Sequence, residues 1–140
     1  MGDRWLLDTG FVVALVNEND DDHERCQLAW QTVRGEIHTV EGVLVETAYL
    51  FARIRDPYGM RSALGIMTAV GAEFAAPSAA RYGRAVALME QYRSLPMDFV
   101  DASLVALGEE KGVDRVLTLD RRGFGAYRLH GKGKFRITPD

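Results

Sequence analysis

Cysteine is nearly absent from this sequence of 140 residues, in which Cys26 stands alone. A single cysteine cannot form a disulfide within the chain, so a reducing compartment such as the cytoplasm is the simpler expectation. The histidines, His23, His38 and His130, are scattered, which leaves no histidine–cysteine cluster for zinc. The longest early apolar run, residues 11–16, is too short to cross a bilayer. We therefore expect no membrane segment and no signal peptide.

A net positive charge is also lacking, since the formal net charge is −3. The charges are unevenly distributed, because residues 1–24 carry seven acids against one arginine and residues 121–140 carry six bases against one acid. The basic tail, with aromatic residues between its charges, is a candidate RNA-binding surface. Its candidate contact residues are Arg121, Arg122, Lys132 and Lys134. The alternative is a solvated basic edge without a ligand.

The sequence lacks any linker, internal repeat or low-complexity segment, so residues 1–140 are predicted to form one domain. Hydrophobic residues make up 47% and charged residues 26% of the chain, as in ordinary soluble domains. Helical and strand patterns alternate with short connections, which predicts an α/β fold with a mainly parallel sheet. The predicted strands cover residues 4–7, 37–40, 73–76, 116–119 and 135–138. The predicted helices start at Gly10 after a Thr9 cap, at residues 20–22, at Glu41, at Met60, after Ser78 and at Asp98. Glycines at 35, 71 and 112 end three of these helices.

The stretch 95–124 combines acidic residues with a helix that is apolar on almost every face. Asp98 and Asp101 are three residues apart, so both carboxylates lie on one side of the first helical turn. Capping of that helix is one explanation for this pair. It explains less for Asp101, because an acid among so many apolar residues needs a proton or a cation. Asp120 follows the predicted strand at 116–119 and is either a turn residue or part of a site.

Asp8, like Asp120, follows a short apolar strand, and ligands of open parallel sheets bind beyond the carboxyl ends of the strands. If these two strands are neighbours, Glu46 and Asp101 can join them in one cleft. Such carboxylates repel one another unless they hold protons or a divalent cation. A site made only of oxygen ligands favours Mg²⁺ or Mn²⁺, and such an ion can promote hydrolysis of a phosphodiester. Spacing alone also fits caps and turns.

The acidic residues lie in motifs that resemble those of PIN-domain ribonucleases, and most of all the VapC-type toxins of bacterial toxin–antitoxin pairs. The motifs are WLLDT at 5–9, FVVAL at 11–15, VLVE at 43–46, DASLVA at 101–106, and LTLDRR at 117–122 followed by Phe124. The resemblance covers nearly the whole chain. It implies a five-stranded parallel sheet flanked by helices, in an α/β/α sandwich. It also implies Mg²⁺- or Mn²⁺-dependent cleavage of RNA in a cleft lined by acids.

The resemblance also assigns roles to single residues. Asp8 and Asp101 would be the main metal ligands, Glu46 would bind the metal directly or through water, and Asp120 would complete the cluster and orient the attacking water. Three further residues are candidates for supporting roles: Thr9, Asp98 and Thr118.

One position departs from the family pattern, which often has an acid just before the Phe of the last motif. This sequence has Gly123 there, which puts a second metal ion in question. The family further implies a homodimer and inhibition by a small antitoxin whose tail enters the cleft.

Other families share fragments of these motifs. The triplet Asp8-Thr9-Gly10 occurs in aspartic proteases, but those are all-β, whereas this chain alternates helices and strands. A haloacid dehalogenase-type phosphatase needs an acid where Gly10 stands, and a receiver domain needs paired acids after its first strand. The remaining alternative is a PIN fold that binds RNA or a protein without cleavage.

Overall fold

Helices and strands alternate along the computed structural model of this protein, which describes residues 2–140. The strands are β1 (Asp3–Leu7), β2 (Gly35–Thr39), β3 (Glu73–Phe74), β4 (Arg115–Leu117), β5 (Arg128–Leu129), β6 (Gly133–Lys134) and β7 (Arg136–Thr138). The helices are α1 (Thr9–Val16), α2 (His23–Thr32), α3 (Glu41–Arg53), α4 (Gly59–Ala69), α5 (Ala79–Gln91), α6 (Phe99–Lys111) and α7 (Arg121–Ala126).

Five strands form one sheet in the order β3-β2-β1-β4-β7, and each neighbouring pair is parallel. The first strand is therefore central, with Leu6 paired to His38 of β2 and to Val116 of β4. The chain adds β2 and β3 on one side of β1 and then β4 and β7 on the other. This reversal leaves a crevice between the carboxyl ends of β1 and β4, where parallel sheets bind ligands. The predicted five-stranded parallel sheet is confirmed.

Helices cover both faces of this sheet, because successive side chains of β1 point in opposite directions. Leu6 is buried with Leu88 of α5 and Leu104 of α6. Its neighbour Leu7 is buried on the other face with Phe11 of α1 and Met67 of α4. The protein therefore has two apolar cores, one on each side of the sheet, and the predicted α/β/α sandwich is confirmed.

The buried helix α6 has the bounds that the sequence predicts. The Asp98 carboxylate accepts a hydrogen bond from the Asp101 backbone N–H and caps the first turn. Residues 102–108 are all buried. The helix ends at Gly112, whose φ of +66° is a left-handed conformation that glycine adopts without a steric penalty.

The longest helices, α3, α5 and α6, have 13 residues each, whereas about 20 apolar residues are needed to span a bilayer. In the part of the chain from residue 2 to 140, no helix has the length and apolar character of a membrane span.

Several predicted boundaries are wrong by a few residues. Asp8, not Thr9, caps α1, so this helix begins one residue earlier than predicted. Strand β4 ends at Leu117 instead of 119, because the chain turns there toward α7. Helix α2 ends at Thr32, and Gly35, with a φ of +113°, opens β2 instead of ending the helix.

Three elements near the C-terminus were not predicted. Helix α7 has six residues, two of which are glycine, so its helix propensity is low, and it depends on the cap supplied by Asp120. Strands β5 and β6 form an antiparallel hairpin of two residues each. A strand of two residues has no readable alternation of apolar and polar positions.

Candidate active site

Acidic side chains from four separate segments meet beyond the carboxyl ends of β1 and β4. Asp8 follows β1, Glu46 lies in the second turn of α3, Asp101 lies in the first turn of α6, and Asp120 precedes α7. All four line one cleft of about 590 Å³, together with Asp98. The two central strands bring the segments together, since the Asp8 N–H donates to the Leu117 carbonyl at 3.0 Å.

Three of the acids in this cleft also cap helices. Asp8 caps α1, Asp98 caps α6 and Asp120 caps α7, and in each case the carboxylate accepts a backbone N–H of the first turn. The first turn of a helix carries partial positive charge on its free N–H groups. These helix starts therefore offset part of the repulsion among the acids.

Asp8 is buried and is held by two hydrogen bonds. Its Oδ1 accepts from the Thr9 N–H at 2.8 Å, and its Oδ2 accepts from the Thr118 hydroxyl at 2.7 Å. The Thr118 oxygen in turn accepts the Asp120 N–H at 3.0 Å, so it connects the segments that carry these two acids. Burial raises the pKa of Asp8 to about 6, against the lowering effect of the two hydrogen bonds. Asp8 is thus fixed in position and carries a charge that its surroundings disfavour.

Glu46 reaches the cleft from α3, where its Oε1 accepts a hydrogen bond from the Thr9 hydroxyl at 2.7 Å. Burial raises the pKa of Glu46, and the nearby charges of Asp98 and Asp8 raise it further. Thr9 therefore contacts Asp8 through its N–H and Glu46 through its hydroxyl. Both threonines singled out in the sequence contact carboxylates of the cleft, although their roles stay predictions.

Asp101 has the largest shift among the acids of the cleft. Burial raises its pKa to about 8, and the charges of the surrounding acids contribute. Those acids are Asp8, Asp98, Asp120 and Glu46. At neutral pH the metal-free cleft therefore keeps a proton that isolated carboxylates would have lost.

A divalent cation fits this donor set. The side chains offer carboxylate and hydroxyl oxygens, which suit Mg²⁺ or Mn²⁺, and they include no histidine or cysteine. Burial first, and the charges of neighbouring acids second, raise the pKa values of Asp8 and Asp101, and a bound cation would favour the charged form of both carboxylates. Asp8, Glu46, Asp101 and Asp120 are the residues that could hold it.

The position of Gly123, where an acid is expected by resemblance, is surrounded by other groups. A Cβ atom at Gly123 would collide with the Asp120 carboxylate and would lie 2.9 Å from the Tyr127 hydroxyl oxygen. That hydroxyl lies 3.3 Å from Asp101 Oδ2. Burial, followed by the charges of Asp101 and Asp120, raises the pKa of Tyr127 well above its usual range. A neutral phenol thus lies beside the acids at this point.

Tyr127 was not predicted as a neighbour of Asp101; in the sequence it is only one of the aromatic residues between the charges of the basic tail. It lies 26 residues from Asp101, and it reaches the cleft only through α7, which was not predicted. No spacing in the sequence indicates this contact.

The four basic candidates fall into two groups. Arg121 and Arg122 begin α7 and follow Asp120 directly in the chain, and the Arg121 guanidinium donates to the Pro139 carbonyl at 2.8 Å. Lys132 and Lys134 lie on or beside the β5–β6 hairpin, which contacts the other end of α6. The contact includes a hydrogen bond from the His130 N–H to Glu109. The four residues therefore do not form one compact patch, and RNA binding by them stays a prediction.

A second group of ionisable residues lies on the sheet, apart from the acidic cleft. Strand pairing places His38 opposite Glu73, and the His38 Nε2 lies 3.1 Å from Glu36 Oε1. Glu73 also accepts a hydrogen bond from Lys111 at 3.3 Å. Spacing along the chain does not indicate this group, which is a polar cluster with one ion pair, between Lys111 and Glu73.

Comparison with known proteins gives the same family as the sequence motifs. The family model for the PIN domain matches residues 5–128. The chain is 28% identical over 137 residues to ribonuclease VapC26 of Mycobacterium tuberculosis. This match covers 96% of the chain and 99% of VapC26.

Solved structures share the fold. The crystal structure of VapC20 from Mycobacterium tuberculosis, described as a sarcin–ricin loop cleaving toxin, has a TM-score of 0.79 and 24% identity. That match covers 87% of this chain and 94% of VapC20. A toxin–antitoxin complex from Klebsiella pneumoniae has a TM-score of 0.64 and 16% identity, covering 86% of this chain and 90% of the other.

Proposed function

This chain belongs to the PIN domain family, and on that basis we propose that it is a metal-dependent endoribonuclease, the toxin of a type II toxin–antitoxin pair. One observation carries the proposal: carboxylates from four distant segments line a single cleft, and burial and mutual repulsion raise the pKa values of Asp8 and Asp101. A group of buried acids without a counter-charge lowers the stability of a protein, and such groups occur mostly at functional sites.

In the proposed reaction Asp8 and Asp101 are the main metal ligands, and Glu46 binds the ion directly or through water. Thr9 and Thr118 hold the Asp8 carboxylate, and Thr9 also holds Glu46. Asp120 completes the cluster and orients the attacking water. When bound, Mg²⁺ or Mn²⁺ lowers the pKa of a coordinated water and offsets the charge that develops on the phosphate.

The proposed partners are RNA, a small antitoxin and a second copy of this chain. The ribonuclease and toxin relatives support RNA as substrate, and a toxin–antitoxin complex among the solved structures supports the antitoxin. Arg121 and Arg122 follow Asp120 directly in the chain, and they are the basic residues that we propose to meet the phosphate backbone. Action on cellular RNA and the single free Cys26, which is buried, favour the cytoplasm.

Substitution of Asp101 tests the proposal. We expect Asp101→Asn to lower the rate of Mn²⁺-dependent RNA cleavage at least about 100-fold, because it removes a charged metal ligand. The control is Glu90→Gln, which neutralises an exposed acid on α5 outside the cleft and should cleave at the wild-type rate. Cleavage is followed on labelled RNA with EDTA as the blank.

Two outcomes would contradict the proposal in different ways. Equal rates of cleavage by Asp101→Asn and wild-type protein would show that Asp101 is not a catalytic metal ligand. RNA retention by the wild-type protein in Mn²⁺ without cleavage would favour the PIN-fold binding module.

A further inference from the structure

We propose that Tyr127 is a positioning residue of the acidic cleft: its hydroxyl holds the Asp101 carboxylate in place for a divalent cation, and Gly123 leaves the room that this hydroxyl occupies. The inference deepens the proposed function and rests on it to the extent that Asp101 is taken there as a metal ligand. Tyr127 lies outside the acidic motifs, and Gly123 stands where the last motif often has an acid.

Hydrogen bonding to the carboxylates is the first observation. Each of the other acids accepts a hydrogen bond from a nearby residue: Asp8 from Thr9 and Thr118, Glu46 from Thr9, Asp98 from the Asp101 N–H, and Asp120 from the Gly123 N–H. Among residues 2–140, the hydrogen bond to the Asp101 carboxylate comes from the Tyr127 hydroxyl, at 3.3 Å from Oδ2. Without it, the acid with the largest pKa shift would have no protein donor in the described chain.

Tyr127 is held firmly enough to position another group. Its side chain is 1% exposed. Its ring packs edge-on against Phe124, at 5.2 Å between centroids, and against Tyr92, at 5.3 Å. Its backbone N–H donates to the Gly123 carbonyl at 2.9 Å. Because the ring has little freedom to move, the hydroxyl stays beside Asp101, which suits a donor that orients a metal ligand.

Gly123 is the second half of the arrangement. Any Cβ atom at this position would lie 2.9 Å from the Tyr127 hydroxyl oxygen and would collide with the Asp120 carboxylate. Gly123 is buried, so a side chain there could not turn away into solvent. The absence of a side chain at 123 therefore permits both the Tyr127 hydroxyl and the Asp120 carboxylate to occupy their places.

The test measures Mn²⁺ binding directly, without RNA, by electron paramagnetic resonance of the free ion. We expect Tyr127→Phe to raise the Mn²⁺ dissociation constant about 10-fold, as is usual when the partner of a metal ligand is removed. The matched control is Tyr92→Phe. The Tyr92 hydroxyl accepts the Arg128 N–H at 3.0 Å within the same aromatic cluster and makes no contact with Asp101. This control should bind Mn²⁺ with the wild-type constant.

Two further measurements distinguish a positioning role of Tyr127 from a role in stability alone. Both variants lose one hydrogen-bonded hydroxyl, so both should lower the melting temperature by a few degrees, but Tyr127→Phe alone should shift Mn²⁺ binding. In cleavage assays, Tyr127→Phe should need about 10-fold more Mn²⁺ for half-maximal rate and should recover at saturating Mn²⁺. The inference is overturned if Tyr127→Phe binds Mn²⁺ within twofold of wild type, or if Tyr92→Phe weakens binding equally.

A double-mutant cycle tests the role of Gly123. We expect Gly123→Ala to weaken Mn²⁺ binding by displacing the Tyr127 hydroxyl or the Asp120 carboxylate. Combined with Tyr127→Phe, it should weaken binding by less than the product of the two single effects, because the two residues act on one contact. Independent effects of the two substitutions would overturn the role given to Gly123.

Failure of this inference and failure of the proposed function give different results. Mn²⁺ binding that depends on Tyr127, in a protein that does not cleave RNA, would leave the positioning role standing and refute the reaction. RNA cleavage with Mn²⁺ binding that is indifferent to Tyr127 would refute the positioning role alone.

Discussion

Asp8, Asp98 and Asp120 each accept a backbone N–H in the first turn of a helix, and each also lines the acidic cleft. For Asp98 and Asp120, capping or a turn appeared in the sequence as an alternative to a functional role. The structure shows that one carboxylate can cap a helix and line the cleft at the same time, because the cap uses one of its oxygens and leaves the other for a different contact. An acid that explains a helix start is therefore still a candidate for chemistry.

The raised pKa values of the buried acids predict how the stability of the metal-free protein depends on pH. The pKa of Asp101 rises from 3.8 in a free side chain to about 8, and that of Asp8 rises to about 6. The folded protein thus binds more protons than the unfolded chain between these values. The stability that Asp8 and Asp101 contribute through these protons is fully present below about pH 4. It is lost as the pH rises through about 8.

We expect the free energy of unfolding in EDTA to be lower at pH 8 than at pH 5, by up to roughly 5 kcal/mol. Urea titrations at the two pH values measure it. Asp101→Asn should flatten the dependence, because the amide does not titrate, and Glu90→Gln should not. A wild-type protein that becomes more stable from pH 5 to pH 8 in EDTA would contradict the prediction.

Contacts of single side chains also limit what can be predicted from the sequence. Asp8, Glu46, Asp101 and Asp120 could be singled out because each stands next to a recognisable strand or helix pattern. Tyr127 could not, because its contact with Asp101 depends on the side-chain packing of a short helix with low propensity.

At the scale of elements, α6 connects the cleft to the core. It begins at Asp98, is buried over seven consecutive residues and ends at Gly112 in a left-handed conformation. Its bounds could be predicted because the cap, the apolar run and the terminal glycine all agree. For α7 and the β5–β6 hairpin no such agreement exists, since they are short and are held by tertiary contacts.

The end of α6 gives a prediction for stability. We expect Gly112→Ala to lower the free energy of unfolding by about 1 kcal/mol, because its φ of +66° is unfavourable for any residue with a Cβ. Mn²⁺ binding should stay unchanged, since the substitution lies at the opposite end of α6 from Asp101. Chemical denaturation measures the first quantity and electron paramagnetic resonance the second.

Gly83 in α5 provides the matched comparison. It is exposed, lies in the helix interior, and a Cβ there would have no atom within 4 Å. Gly83→Ala should therefore raise the free energy of unfolding by up to about 1 kcal/mol, through helix propensity alone. If both alanines changed stability in the same direction, the conformation of Gly112 would not be the cause.

At the scale of the whole molecule, the strand order determines where the acids meet. Asp8 and Asp120 are 112 positions apart in the chain, and they come together because β1 pairs with β4. From the sequence this pairing was only a condition, and the family resemblance implied a shared cleft without a strand order. The alternation of helices and strands predicts the class of fold, but the order of strands depends on packing between distant segments.

The surface of the molecule offers an apolar region beside the cleft. A groove of about 580 Å³ runs between α3, α5 and α6, with Val45, Tyr82 and Phe99 among its lining residues. These side chains are 66%, 42% and 44% exposed, and the rings of Tyr82 and Phe99 lie 6.1 Å apart. Exposed apolar patches of this kind mark sites of association. The homodimer proposed above needs an apolar contact of this kind, and this groove is our candidate for it.

This assignment predicts that Tyr82→Glu produces a monomer. The wild-type protein should have twice the 15.6 kDa mass of one chain in size-exclusion chromatography with light scattering, and Tyr82→Glu should have the mass of one. The reason is that a charge in an apolar contact must be desolvated without a partner.

The control is Leu28→Glu, since Leu28 is 66% exposed on α2, which packs against the other face of the sheet. This variant should keep the mass of the wild type. A monomeric wild-type protein, or a dimer that survives Tyr82→Glu, would show that this face does not join two copies.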